Sequence, residues 1–208
     1  MAGAPSPIPL RFQRSELEAK ADLSGEGLQA LAQIGHPEKL IAHLVEGGHA
    51  RDAVHALTLL LPHRQTVWWA CLCARLIPDL DRRANDMAAI AAAEAWVQTG
   101  SADHAARAGE LALAGNRDAA PAWVAMAAYW SGPTIAPRGS QAVPPPPHLP
   151  GVAARSAMLL LMQEPGLADR IDHGDLLGIG RELMLGGNGA VAHAALRNRL
   201  GEPVAGAR

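Results

Sequence analysis

The sequence predicts an all-α protein built of stacked helical hairpins, and three observations support that prediction. Hydrophobic residues make up 49% of the 208 residues, although the chain contains a single Phe and a single Tyr. Most of the apolar bulk is alanine, leucine and five tryptophans; alanine favours helices, and the β-branched residues that favour strands are few. Glycine, proline and serine recur between apolar stretches, where they are typical of helix starts and stops.

The chain is predicted to begin with an extended N-terminal arm over residues 1–21. Pro5, Pro7 and Pro9 interrupt any helix there, and residues of mixed charge follow them. Phe12 is apolar and could hold a short piece of this arm against the body of the protein.

Residues 22–131 are predicted to form a body of helical hairpins. Ser24 and Ser101 are expected to cap helices, Pro37 to occupy a first turn, and Gly100 to end a helix. The predicted helices of the body cover approximately residues 24–34, 37–46, 49–61, 62–77, 81–99, 101–114 and 120–130.

The helix predicted over residues 62–77 is expected to be the central helix of the core. Wound as a helix, it places Arg64, Trp68 and Arg75 on one narrow polar stripe, whereas Trp69 falls on the opposite, apolar face. Arginines beside an indole ring can stack on it. We therefore predict that Arg64, Trp68 and Arg75 either support the fold or border a groove that binds an acidic or C-terminal segment of a partner protein.

Both cysteines of the chain lie on this same helix. Cys71 and Cys73 are two residues apart and point about 200° away from each other, so they can neither form a disulfide nor bind one metal ion together. Buried, reduced thiols are the simplest interpretation. A catalytic cysteine would need solvent access and a nearby histidine, for which His63 is the candidate.

Two segments of the body resemble each other. Residues 48–76 correspond to residues 100–130 at an offset of 52 to 54 residues, which aligns Trp69 with Trp123. The order of glycine, small-residue helix, short break and aromatic-alanine helix resembles tetratricopeptide-type hairpins. The resemblance implies a degenerate two-unit αα repeat, although any pair of alanine-rich helices can produce such a match.

Residues 132–150 are predicted to form a proline-rich connector, and residues 151–208 a C-terminal helical group. The tetraproline over residues 144–147 cannot be helical and favours an extended polyproline conformation. Its proline spacing suits recognition by an aromatic-lined domain, but a stiff connector packed across the helices is the favoured interpretation.

No catalytic, cofactor-binding or metal-binding residue is predicted. No two of the nine histidines are four residues apart, and the polar residues His49, Asp52 and His55 are expected on a solvated helix face. Asp175, which follows Asp172 and His173 at a predicted helix start, is explained by helix capping. The glycine-rich stretches follow no strand, so they are not phosphate-binding loops.

The string Trp-Trp-Ala-Cys-Leu-Cys-Ala-Arg, together with the proline segment that ends His-Leu-Pro, resembles an uncharacterised family of proteobacterial all-helical proteins. The resemblance covers most of the chain beyond the arm. It implies a link to type VI secretion components and assigns no activity or functional residue.

These observations predict a cytoplasmic, non-enzymatic adaptor or chaperone-like protein whose partner is another protein. A net charge of −2 with scattered basic residues disfavours nucleic acid as a partner, and no apolar run is long enough for a membrane span. The alternative is a helical small-molecule or cofactor-binding protein with a tryptophan-lined pocket. A cysteine-dependent enzyme is the third possibility.

Overall fold

The computed structural model describes residues 6–136 and 140–201; the predicted positions 1–5 of the arm, 137–139 of the connector and 202–208 of the C-terminal group lie outside them. Within these ranges the chain is all-α and contains no strand, as the composition predicts. The helices are α1 (Arg14–Lys20), α2 (Gly25–Gln33), α3 (Pro37–Glu46), α4 (Ala50–Leu60), α5 (His63–Ala74), α6 (Ala84–Thr99), α7 (Ala102–Ala114), α8 (Ala120–Trp130), α9 (Leu149–Leu161), α10 (His173–Met184) and α11 (Ala190–Gly201).

Local sequence signals set several of the helix ends. The Ser24 hydroxyl accepts a hydrogen bond from the Gly27 amide at the start of α2, and Ser101 does the same at the start of α7. Gly100 ends α6 in the left-handed conformation, with φ of 66°. A 3-10 turn over Leu80–Arg82 precedes α6, so this helix begins later than the sequence predicts.

The part of the predicted extended arm that the structure describes packs against the body. Its residues include a short helix, α1, whose Leu17 is buried in the core. Before α1, the Ile8 amide donates to the Met184 carbonyl at 3.1 Å and the Arg11 amide donates to the Leu60 carbonyl at 2.6 Å. The arm thus joins the start of the chain to the ends of α4 and α10.

Helices α5 to α8 form a stack in which each helix packs against the next. Helix α8 also packs on α6, which closes the stack from the side, and α9 packs against α4, α5 and α8. The buried hydrophobic residues form one cluster that extends from Leu17 to Leu196. The proline segment interrupts the helical pattern of the sequence, yet the chain beyond it returns to this same core.

Trp69 on α5 lies at the junction between the stack and α10. Its side chain is fully buried, as predicted, and its Nε1 donates to the Leu176 carbonyl at 2.9 Å. A Cβ atom at position 180 of α10 would lie 2.6 Å from Trp69 Cζ2, so only a glycine fits there without rearrangement. The close contact between α5 and α10 depends on this glycine.

The two segments predicted as repeats have different neighbours. Helices α7 and α8 pack closely against each other, whereas α4 packs chiefly on α3, α9 and α10. The αα repeat therefore stays a prediction.

The connector is held at both ends. The Ile135 amide donates to the Val143 carbonyl at 2.8 Å, and His63 Nε2 lies 2.9 Å from the Pro147 carbonyl. Between these points, Pro144, Pro146 and Pro147 are exposed.

Candidate functional site

The polar stripe predicted on α5 faces other parts of the chain. The exposed Arg64 donates through Nε to the Val97 carbonyl and through Nη2 to the Gln98 carbonyl, at 2.5 Å for the latter. These carbonyls belong to the last turn of α6, where helical carbonyl groups lack partners within the helix. Arg64 thus caps α6 from outside.

Trp68 and Arg75 also have partners within the chain. The half-buried Trp68 donates through Nε1 to the Asn188 carbonyl at 2.8 Å. Arg75 forms a two-pronged ion pair with Glu94 of α6, with Nη2 to Oε2 at 2.6 Å and Nε to Oε1 at 2.9 Å. The three residues therefore contact separate partners, and a protein that bound this stripe would replace existing contacts.

The cysteines of α5 are buried and form no disulfide. Burial raises the pKa of both thiols, and the Glu94 carboxylate near Cys71 contributes to the shift there. A thiol that stays protonated and is shielded from solvent is a poor nucleophile. Their surroundings suit packing better than catalysis.

Part of the polar face predicted on α4 is buried instead of solvated. Asp52 is 2% exposed and His55 is 1% exposed. The Asp52 carboxylate accepts hydrogen bonds from the Ser24 hydroxyl at 2.5 Å and the Ser24 amide at 3.1 Å. The prediction was wrong because the segment around residues 21–24, which covers these side chains, is distant in the sequence.

His55 and His173 face each other behind this segment, with ring centroids 6.2 Å apart. The buried Nε2 atoms of both rings have no hydrogen-bond partner among the described residues. Burial, together with the nearby positive charges of Arg155 and Arg51, lowers the pKa of His55 to about 4. The same positive charges oppose a bound metal cation, and no group of three metal-ligating side chains is found in the described ranges.

An open groove of about 430 Å³ lies between α7, α8 and the start of the connector. We call it the aromatic groove. It is lined by Leu113, Trp123, Met126, Tyr129, Trp130 and Ile135, together with Arg117.

Hydrogen bonds fix the aromatic walls of this groove. Trp123 Nε1 donates to the Arg117 carbonyl at 2.7 Å, and the Tyr129 hydroxyl donates to the Ile135 carbonyl at 2.8 Å. The Trp123 and Trp130 rings are in edge-to-face contact, with centroids 6.2 Å apart. Because these polar atoms already have partners, the groove presents mainly apolar ring surface.

The apolar lining of the groove is partly exposed to solvent. Leu113 at the end of α7 is 56% exposed, and Trp123 and Trp130 are half-buried. Such a surface gains free energy when an apolar group of another molecule covers it. The arrangement suits binding, and it contains no paired nucleophile and base.

The aromatic groove was not predicted from the sequence, although the spacing of two tryptophans indicates it. Trp123 and Trp130 are seven residues apart, which places them on one face of a helix. Only the three-dimensional structure shows that the described residues leave this face partly uncovered.

The comparisons with known proteins define the class of the chain. The sequence model of a family described as "Family of unknown function (DUF6931)" matches residues 40–184. The chain belongs to this family. The matched region contains α4 to α10, and therefore both the polar stripe of α5 and the aromatic groove. No curated protein and no solved structure matches the chain. None of its described helices combines the length and apolar character that crossing a membrane requires.

Proposed function

We propose that this protein is a non-enzymatic adaptor that binds a partner protein by enclosing an apolar side chain of that partner in the aromatic groove. The observation that supports the proposal is the groove itself, where exposed Leu113 adjoins two half-buried indole rings. Interface cores are enriched in Trp, Tyr and Met, and this groove combines all three.

Co-purification from the native host tests the proposal with matched variants. Leu113→Glu places a charge in the groove, and Val191→Glu is the control because Val191 is 76% exposed on α11. We expect a stoichiometric partner to accompany the wild-type protein and Val191→Glu, and to be lost with Leu113→Glu. Retention of that partner by Leu113→Glu would contradict the groove as its binding site.

The α5 stripe is a competing surface that the same experiment can assess. Arg64→Ala removes the contacts of that side chain with α6 while leaving the aromatic groove intact. Loss of the partner with Arg64→Ala, together with its retention by Leu113→Glu, would place binding on the stripe. The resemblance to proteins associated with type VI secretion makes components of that apparatus the first partners to assay.

A small apolar molecule is the second candidate occupant of the groove. Its volume of about 430 Å³ falls within the range of approximately 300–1,000 Å³ that is typical of ligand pockets. Native mass spectrometry of protein purified from its host distinguishes the candidates. A bound small molecule that disappears in Leu113→Glu would support ligand binding and contradict the adaptor function.

A further inference from the structure

The aromatic groove has one charged residue among the described residues that line it, namely Arg117. Arg117 is exposed, and its guanidinium makes no hydrogen bond or ion pair with the described part of the chain. By contrast, Arg107 on α7 pairs with Glu110 at 3.0 Å, and Arg75 pairs with Glu94. A cation beside an apolar groove is therefore available to a binding partner.

The groove itself holds the backbone of Arg117 in place. The Arg117 carbonyl accepts the Trp123 Nε1 hydrogen bond, so the backbone that carries the Arg117 side chain is anchored to an aromatic wall of the groove. In the same turn, Asn116 accepts hydrogen bonds from the Asp118 amide at 3.0 Å and the Ala119 amide at 3.2 Å. A turn fixed in this way limits the backbone ordering that binding would require.

We infer that the partner segment places an acidic side chain against Arg117 while an adjacent apolar residue fills the aromatic groove. This inference rests on the proposed function and specifies the chemistry of the partner. Arginine pairs well with carboxylates because its planar guanidinium can donate two parallel hydrogen bonds. The charge of Arg117 is the complement that selects an acidic partner over a neutral or basic one.

An acidic side chain fits this site better than the carboxylate of a chain terminus. Chain termini are typically captured by several free backbone amides. Here the Asp118 and Ala119 amides donate to Asn116 and are not available. A long, exposed arginine suits a carboxylate that approaches on a side chain.

A random dodecapeptide library, displayed with its C terminus fused and selected against the full-length chain, tests the inference. Peptides that bind wild-type protein but not Leu113→Glu are the groove-dependent set. We expect Asp or Glu next to an apolar residue to be enriched at least threefold in this set. Selection against Arg117→Gln should abolish the enrichment, whereas Arg107→Gln should preserve it, because Arg107 is an exposed arginine outside the groove.

The outcomes separate the inference from the proposed function. Groove-dependent peptides without acidic enrichment would overturn the role of Arg117 and leave the adaptor function standing. Failure to recover any groove-dependent peptide would contradict both. Enrichment of acidic residues that persists in Arg117→Gln would also overturn the inference. A second library can display the peptides with free C termini. If these peptides bound more strongly than the first set, and only when Arg117 was present, the carboxylate that pairs with Arg117 would be a chain terminus and not an acidic side chain. Thermal unfolding of Arg117→Gln verifies that this variant keeps its fold.

Discussion

The surroundings of His55 keep its imidazole ring uncharged. Its Nδ1 lies 3.1 Å from the Ala21 carbonyl and 3.2 Å from the Asp22 carbonyl, which fixes the proton on Nδ1. Arg51 and Arg155 are nearby cations, while the Asp22 carboxylate lies 3.7 Å from Nδ1. His173 is a further titratable group beside the ring. Protonation of His55 would bury an additional charge beside two cations.

The neutral state of His55 predicts that stability falls with acidification. The ring titrates near 6.5 in the unfolded chain, but its pKa in the folded protein is about 4. Between these values the unfolded state binds more protons, so the contribution of His55 is complete above pH 6.5 and is lost as the pH falls towards 4. We expect the free energy of unfolding to drop by up to about 3 kcal/mol across this window.

Chemical denaturation at a series of pH values measures this drop. His55→Asn keeps a donor near the position of Nδ1 but cannot be protonated, so it should flatten the pH dependence. His36→Asn is the control, since His36 is exposed. A pH profile of His55→Asn that matched wild type would show that other groups cause the effect.

Trp69 and Arg75 lie close together in the sequence, yet we expect Trp69→Ala to lower the free energy of unfolding much more than Arg75→Ala. Trp69 is fully buried, and truncation of a buried tryptophan to alanine costs about 3–5 kcal/mol. Arg75 and Glu94 are partly exposed, so the loss of their ion pair costs about 1 kcal/mol. Thermal unfolding should therefore show a Tm lower by roughly 6–20 °C for Trp69→Ala and by about 2–4 °C for Arg75→Ala. Equal losses would mean that the Arg75–Glu94 pair is an essential part of the core.

At the scale of elements, α10 has two faces that differ sharply in crowding. Gly178 is exposed and has open space around its Cα, whereas Gly180 lies against the Trp69 ring. The helix starts with a reciprocal capping arrangement in which Asp172 accepts from the Asp175 amide and Asp175 accepts from the Asp172 amide. These features combine a well-formed helix start with a face that must come very close to α5.

The two glycines of α10 therefore predict substitutions of opposite effect. Gly178→Ala should stabilise the protein by about 0.5–1 kcal/mol, because alanine favours helix and nothing obstructs its methyl group. Gly180→Ala should destabilise it by about 1–3 kcal/mol, because the methyl group would lie 2.6 Å from Trp69 Cζ2. Urea denaturation of both variants measures the difference. Stabilisation by Gly180→Ala would show that the contact between α5 and α10 is loose.

At the scale of the whole molecule, one hydrophobic core joins regions that the sequence divides. Buried residues before residue 131 and after residue 150 belong to the same cluster, and α9 packs against α4, α5 and α8. Folding of either part alone would leave apolar surface exposed to water. The two parts are therefore expected to unfold together.

Cooperative unfolding can be measured with two probes. Tryptophan fluorescence reports mainly on α5, α6 and α8, where the five tryptophans lie, whereas far-ultraviolet circular dichroism reports on every helix. We expect both signals to change at one midpoint. Two separate midpoints would support the domain boundary that the sequence predicts at residues 150 and 151.

A structural feature could be predicted from the sequence when the residues that determine it lie close together along the chain. Helix starts such as Ser24 and Ser101 were predictable because the capping groups lie three residues apart. The burial of His55 depends on carbonyl groups 33 and 34 residues away, and no local pattern records it. The aromatic groove exists only because the folded chain leaves Trp130 partly uncovered. Residue spacing can place Trp123 and Trp130 on one face, but it does not show which face stays open.

The contact between Trp69 and α10 has a consequence for the newly made chain. Its hydrogen-bond acceptor, Leu176, lies 107 residues further along, and ribosomes add roughly 5–20 residues per second. About 5 to 20 seconds therefore pass between the synthesis of the indole and that of the backbone that covers it. During this interval the nascent chain exposes an apolar surface that the finished protein hides, so its yield in cells should depend on chaperones that bind such surfaces.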